Sequence, residues 1–158
     1  MIPNIGISEN HLQKTNSILS IILSDEMTIY IKTRKFHWNV AGESFMELHQ
    51  LFEKQYNELE AIIDTIAERI GKLGNKTIGT MIEFSLLSRI VEHPNKYPVQ
   101  KAMLSELLSD HETITIELRK DIAICTNETK DAGTADMLTI MMQQHEAIIW
   151  ILRRYLNH

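Results

Sequence analysis

Two histidines and two carboxylates form the most distinctive chemical set in this sequence: His37, His49, Asp64 and Glu68. Imidazole nitrogens and carboxylate oxygens together suit Fe(II), Mn(II) or Zn(II), and the set contains no thiolate that would favour softer ions. Redox chemistry also needs open coordination positions for an oxidant, and so sparse a ligand set leaves them. These residue types therefore indicate a candidate redox-active metal site.

The spacing of these residues prevents one chain from bringing all four to one ion. If residues 44–73 form one helix with a rise of about 1.5 Å per residue, His49 and Asp64 lie about 22 Å apart along its axis. Either the histidines and the carboxylates serve different purposes, or a second subunit running antiparallel brings its carboxylates to the first subunit's histidines. We favour the second option, in which a two-fold axis creates two equivalent sites per dimer.

Helical spacing also groups the candidate ligands into pairs. Asp64 and Glu68 are four residues apart, so their carboxylates project from one face of the helix and suit shared capture of a cation. His49 and Glu53 have the same spacing. His37 is placed at the end of the preceding helix, where an antiparallel hairpin brings it beside His49 and leaves it far from Asp64.

Apolar residues recur at helical intervals along the whole chain, which predicts four long helices and one short one. Ser44 and Glu47 match a capping box at the start of the second helix, and Thr134 is expected to cap the last helix. The predicted segments are about 8–39, 45 to the 71–74 region, 80–91 (the short one), 99–125 and 134–156. Short connections between them predict an all-α, antiparallel four-helix bundle with the short helix between the second and third long ones. We expect a single domain over residues 1–158, with 1–7 as a short N-terminal extension.

Composition limits the classes of function. The chain has 158 residues, 44% of them hydrophobic, and a formal net charge of -5, which argues against general attraction to nucleic acid or anionic membranes. The lone Cys125 excludes an internal disulfide and a cysteine-based zinc site, and we expect it to be a small core residue. No signal-peptide pattern opens the sequence, and no apolar run approaches the roughly 20 residues of a membrane span. We therefore expect a soluble, cytoplasmic chain.

Each of these features also has a structural alternative that spacing alone does not exclude. An aspartate and a glutamate four residues apart are most often a solvated helix face, with Arg69 as a nearby ion-pair partner. Trp38 is more often a packing residue than a chemical one. No glutamate has a histidine three residues after it, which weakens the possibility of a di-iron site within one bundle. Five histidines are expected to be capping or surface residues: His11, His93, His111, His145 and His158.

Two sequence blocks carry a family resemblance. The run from His37 to His49, His-Trp-Asn-Val-Ala-Gly-Glu-Ser-Phe-Met-Glu-Leu-His, followed by Asp-Thr-Ile-Ala-Glu-Arg-Ile-Gly-Lys-Leu-Gly at 64–74, closely resembles the signature of the Dps family, the bacterial miniferritins. A second block, at 131–139, 145–146 and 150–153, is similar to the last helix of that family.

The resemblance implies an assembly and a reaction. Dps-like proteins are hollow dodecamers of four-helix bundles, with ferroxidase centres at the two-fold interfaces. We therefore expect oxidation of Fe(II), preferably by hydrogen peroxide and less effectively by O2, with ferric mineral stored inside the shell. His37 and His49 would come from one subunit, and Asp64 and Glu68 from the other. Glu53 falls where the family has an acidic residue beside the site.

The resemblance also implies roles for residues around the centre. Trp38 occupies the family's tryptophan position, where it would intercept oxidising radicals. The segment 127–136 resembles the family's three-fold pore, in which acidic side chains guide cations inward. Candidate pore residues are Glu128, Asp131 and Asp136, of which Asp136 could equally be a first-turn carboxylate favoured by the helix dipole.

Two other functions compete with iron oxidation. Some Dps members condense DNA and often carry a flexible, lysine-rich tail, because phosphate contacts supply most nonspecific affinity. Here the first thirteen residues contain no Lys or Arg, and the cluster Lys32, Arg34 and Lys35 is expected to be solvated surface. We therefore expect weak or absent DNA binding at neutral pH. The third possibility is a helical adaptor without catalysis.

Overall fold

The computed structural model describes residues 2–156 and shows five helices in this part of the chain, with no strand. They are α1 (Glu9–Asn39), α2 (Phe45–Lys72), α3 (Met81–Leu87), α4 (Gln100–Asn127) and α5 (Ala132–Leu156). The predicted all-α bundle with a short helix between the second and third long helices is therefore confirmed. None of the described helices carries an apolar stretch sufficient to cross a membrane.

Two antiparallel hairpins build the bundle, because each long helix buries an apolar stripe against its neighbour. In the α1–α2 hairpin, Phe36 packs near Phe52, with ring centroids 6.4 Å apart. The second hairpin is α4–α5, and it packs beside the first one. Leu59 and Ile66 are fully buried in the shared core, and each such side chain contributes about 1.5–3 kcal/mol to folding. Cys125 is also completely buried, as predicted, and burial raises the pKa of its thiol to about 11.

The start of α2 differs from the prediction. Ser44 has φ -95° and ψ 26°, outside the extended conformation of most N-caps, and its hydroxyl caps no amide. Glu47 instead accepts a hydrogen bond from the Tyr155 hydroxyl at 2.6 Å. A capping box does form at α3, where the Thr80 hydroxyl and the Glu83 carboxylate each accept from the other's backbone amide. The predicted capping box at Ser44 was therefore wrong.

The start of α5 is capped by Asp131, not by Thr134 as predicted. The Asp131 carboxylate accepts hydrogen bonds from the Thr134 amide at 3.0 Å and from its hydroxyl at 2.6 Å. Arg69 of α2 contacts the same carboxylate at 2.8 Å. Thr134 is thus the third residue of the helix, and the cap ties the start of α5 to the end of α2.

Buried ion pairs fix α1 against the second hairpin. Lys32 is only 5% exposed and contacts Asp110 at 2.7 Å and Glu106 at 3.1 Å, so the expectation that it is solvated surface was wrong. Burial raises the pKa of Asp110, while the hydrogen bond from Lys32 opposes this shift. Arg89, after α3, likewise contacts Asp25 of α1 at 2.7 Å. The Lys32 pairs thus join α1 to α4, and the Arg89 pair holds the loop that follows α3 on α1.

Candidate metal centre

His37 and His49 lie together where the α1–α2 hairpin turns. Their rings stack with centroids 3.7 Å apart and planes 18° apart, as expected for residues at adjoining ends of an antiparallel hairpin. The connection reverses direction at Gly42, whose φ of +113° lies in a region that other residues rarely adopt. The predicted proximity of the two histidines is therefore confirmed.

Reciprocal hydrogen bonds orient both imidazoles. Nδ1 of His37 lies 2.8 Å from the His49 carbonyl oxygen, and Nδ1 of His49 lies 2.9 Å from the His37 carbonyl oxygen. A carbonyl oxygen only accepts, so each Nδ1 must carry the proton and donate. In the neutral rings this leaves the Nε2 lone pair unprotonated. A hydrogen bond of this kind is what selects the metal-binding nitrogen of a histidine ligand.

Aromatic rings surround the histidine pair. Tyr56 meets the His37 ring edge-on with centroids 5.3 Å apart, and Phe45 lies 5.2 Å from the His49 ring. Trp38, next to His37, is 65% exposed, so it does not serve as a core packing residue within its own chain. Glu53 is exposed one turn beyond His49, and its carboxylate accepts a long hydrogen bond of 3.5 Å from the Tyr56 hydroxyl.

Arg34 was also expected to be solvated surface, but it sits among these aromatic rings. Its guanidinium carbon lies 4.2 Å from the ring centroid of Tyr56 and 5.9 Å from that of Trp38. The Arg34 guanidinium also donates a hydrogen bond to the Tyr30 hydroxyl. It therefore joins the aromatic side chains on one flank of the histidine pair, which sequence spacing alone did not reveal.

Asp64 and Glu68 are exposed on the far half of α2. The helix is continuous from Phe45 to Lys72, so the axial separation of about 22 Å between His49 and Asp64 holds. Glu68 contacts Lys72 at 2.9 Å, whereas the Arg69 guanidinium is directed at the start of α5. Within residues 2–156 of a single chain, no three His, Cys, Asp or Glu side chains converge in a metal-binding arrangement. The chain thus presents the histidine pair and the carboxylate pair as two separate half-sites.

The three candidate pore residues differ in their surroundings. Asp131 is only 2% exposed and is held by Arg69 and Thr134, so its carboxylate is not free to line a pore. Glu128 is exposed and pairs with Lys14 of α1. Asp136 is exposed one turn into α5 and borders a surface depression.

Two of the histidines assigned to capping or surface positions are core residues. His111 of α4 and His145 of α5 are completely buried and bonded to each other, so that assignment was wrong for both. Helical spacing carried the missing signal. His111 follows buried Leu107 by four residues, and His145 follows buried Met141 by four, so each lies on the buried stripe of its helix. His158 lies outside the described residues.

Comparisons with known proteins agree with this geometry. A family model described as a ferritin-like domain matches residues 16–158. An uncharacterized low temperature-induced protein from Nostoc sp. is 39% identical over 98% of this chain and 86% of its own length. A Bacillus anthracis protein named DNA protection during starvation protein 2 is 34% identical over 89% of this chain and 94% of its own.

The fold comparison points to the same group. The crystal structure of a Dps protein from Vibrio cholerae O1, described as a member of a superfamily of ferritin-like diiron-carboxylate proteins, superposes with a TM-score of 0.92. The two share 27% identity, and the match covers 99% of this chain and 97% of that one. The chain therefore belongs to the ferritin-like domain family and, within it, to the Dps miniferritins.

Proposed function

We propose that this protein oxidises Fe(II), its substrate, at centres that two antiparallel copies build together. His37 and His49 of one copy meet Asp64 and Glu68 of the other across a two-fold axis, which gives two equivalent centres per dimer. The observation that carries the proposal is the reciprocal bonding of the two imidazoles, which leaves both Nε2 atoms ready to bind a metal ion. Membership of the Dps miniferritins makes iron the expected metal.

The chain's own residues account for the selectivity of the reaction. Two neutral imidazoles and two carboxylates balance the charge of a divalent ion and leave coordination positions open for the oxidant. Two Fe(II) ions, one hydrogen peroxide molecule and two protons yield two Fe(III) ions and two water molecules. Because two one-electron oxidations are matched to one two-electron oxidant, the release of hydroxyl radicals is limited. O2 is the less effective oxidant.

Glu53 and Trp38 lie beside the histidines and support this reaction. Glu53 lies one turn beyond His49 and is exposed, so it holds a water molecule or an incoming ion beside the centre. Trp38 follows His37 directly and is exposed, so its indole is placed to intercept oxidising radicals that escape.

Iron storage requires a closed protein shell and a pore through which iron ions enter it. We propose that the chain assembles, in the cytoplasm, as a hollow dodecamer in which Fe(III) accumulates as mineral and oxidative damage is limited. Asp136 and Glu128 are exposed near the start of α5 and attract cations towards an entry pore. Asp131 serves instead as the helix cap that positions this segment.

Complementation between two inactive variants tests the shared centre. One variant carries His37→Gln and His49→Gln, and the other carries Asp64→Asn and Glu68→Gln. In a mixed dimer, one of the two centres receives only intact ligands. Random pairing makes half of the dimers mixed, so co-refolded protein should recover about a quarter of the wild-type rate of ferric absorbance after peroxide addition. Each variant alone should be inactive.

Matched substitutions away from the proposed centre, His11→Gln with Glu112→Gln, control for the change of residue type and should leave the rate unchanged. If the mixture stays inactive although both variants assemble normally, the ligands do not come from two subunits. If the wild-type protein oxidises Fe(II) with neither hydrogen peroxide nor O2, it is a helical adaptor and not a ferroxidase.

DNA binding is the competing function, and the surface does not favour it. Lys32 is buried in ion pairs, and Lys35 donates to the His93 carbonyl oxygen at 3.1 Å, so neither is a freely exposed phosphate contact. We expect no DNA gel shift at nanomolar protein and physiological salt. A saturating shift under those conditions would make DNA condensation a function of this protein.

A further inference from the structure

Each long helix contributes a strongly polar side chain to one buried layer of the core. These side chains are Glu26 of α1, Gln55 of α2, His111 of α4 and His145 of α5. Gln55 is 1% exposed and the other three are completely buried. None of them belongs to the candidate metal centre. Burying such groups costs free energy unless each has a partner, so this layer needs an explanation.

Three of these side chains form a hydrogen-bonded chain across the core. Nε2 of His145 lies 2.9 Å from Oε1 of Glu26, and Nδ1 of His145 lies 2.8 Å from Nδ1 of His111. The chain therefore runs from α1 through α5 to α4. Both nitrogens of His145 are engaged, unlike those of the histidines at the hairpin turn.

The two hydrogen bonds permit two proton counts. With two protons on the three groups, His111 donates to His145, which donates to Glu26, and the layer has a net charge of -1. With three protons, His145 Nδ1 donates to His111, whose Nε2 carries a proton of its own, and the layer is neutral. An uncompensated charge buried in the core is far more costly than a neutral hydrogen-bonded chain.

We propose that Glu26, His145 and His111 share three protons and form a neutral proton-binding site inside the bundle, completed by buried water. Four side-chain atoms of the layer have no protein partner: Glu26 Oε2, His111 Nε2, Gln55 Oε1 and Gln55 Nε2. Contacts of α1 with its neighbours, Tyr30 with Tyr56 and Lys32 with Asp110, place Gln55 and His111 at similar heights along the bundle. Water bound among such atoms would satisfy them.

Other charged groups near the layer are already paired elsewhere. On α1, Asp25 bonds to Arg89 and Lys32 to Asp110 and Glu106 of α4. On α5, Glu146 pairs with Arg119 of α4, and on α2 the Tyr56 hydroxyl donates to Glu53. Burial, followed by the charge on His145, lowers the pKa of His111 well below 6.5, so the folded layer resists a fourth proton.

The proton count fixes how folding depends on pH. In the unfolded chain, with histidine pKa values near 6.5, the same three groups hold about three protons at pH 6.5, four in mild acid and two above pH 7.5. The layer's contribution to stability therefore falls in both directions from pH 6.5, because the folded layer keeps three protons. Above pH 7 the folded layer binds more protons than the same groups do in the unfolded chain, so its contribution to stability decreases as pH rises. A layer with only two protons would show no alkaline decrease.

The experiment measures denaturant unfolding of the assembled protein between pH 7 and 8 at one protein concentration. The wild-type unfolding equilibrium constant per chain should rise about sixfold across this interval. Glu26→Gln/His145→Gln should abolish this rise, whereas the matched control Glu112→Gln/His11→Gln should retain it. The interval stops at pH 8 because Cys125, with a pKa of about 11 when folded, would release a further proton on unfolding at higher pH.

A second measurement covers the case in which the layer variant fails to fold. Calorimetry of wild-type unfolding at pH 7.8, in two buffers of different ionisation enthalpy, counts the protons released. About one proton per chain is expected from the layer. Release near zero, or an alkaline rise that persists in Glu26→Gln/His145→Gln, overturns the proposal.

Discussion

The two histidine pairs of this chain use the same atoms in opposite ways. At the hairpin turn, His37 and His49 direct Nδ1 at backbone carbonyl oxygens and keep both Nε2 atoms free. In the core, His111 and His145 direct Nδ1 at each other, and His145 Nε2 is bonded to Glu26. The turn pair is therefore open to a ligand, whereas the core pair is hydrogen-bonded within the bundle. Hydrogen-bond partners, not residue type, thus separate a candidate ligand from a structural histidine.

Removing one partner of the Glu26–His145 hydrogen bond should have the largest effect on the free energy of unfolding. His145→Leu leaves the Glu26 carboxylate buried without a partner, which should cost about 3–5 kcal/mol of unfolding free energy, measured by denaturant titration at pH 7. Glu26→Leu/His145→Leu should recover most of that loss, because it removes the charge together with its partner. If the single and double variants were equally unstable, lost packing rather than a stranded charge would be the cause.

Removing the open pair should affect iron oxidation far more than folding. We expect His37→Gln/His49→Gln to reduce the peroxide-dependent rate of Fe(II) oxidation by at least about 100-fold, since even residues that only orient a ligand can be worth 10–100-fold. Its unfolding free energy should fall by only about 1–3 kcal/mol, for the two hydrogen bonds that are lost. An equally large loss of oxidation in Glu26→Leu/His145→Leu, measured on folded protein, would contradict the separation of the two pairs.

Much of this division could be predicted from sequence, and the failures have physical causes. His37 and His49 were correctly placed together because helix length and a glycine turn fix where hairpin ends meet. His111 and His145 were misassigned because the prediction used residue type alone and did not ask whether each lies on the buried stripe of its helix. The contact between His49 and a partner's Asp64 stays a proposal. The distance between these residues along one helix shows that a single chain cannot join them, but it does not show which surface of a second chain approaches His49.

Acid should weaken iron binding at the open pair. A histidine must be neutral to bind a metal ion, and free imidazoles take up protons near pH 6.5. Below that pH, Fe(II) affinity measured anaerobically should fall about tenfold per pH unit for each histidine that binds. The sign is opposite to that of the core layer above pH 7, where rising pH weakens folding. Affinity unchanged down to about pH 5 would refute histidine ligation.

The smallest effect should come from the exposed carboxylate of the open half-site. Glu68 contacts Lys72 at 2.9 Å, with both side chains more than half exposed, in contrast to Glu26, which is sealed against His145. Exposed pairs of this spacing are worth little, so Lys72→Ala should leave unfolding nearly unchanged. Freed from its competing ammonium, Glu68 should bind iron about twofold more tightly in anaerobic titrations. A larger gain would mean that Lys72 blocks the half-site, whereas a loss would mean that it holds Glu68 in position. Lys54→Ala, which removes the similar pair with Glu58 on the same helix, is the matched control and should change neither quantity.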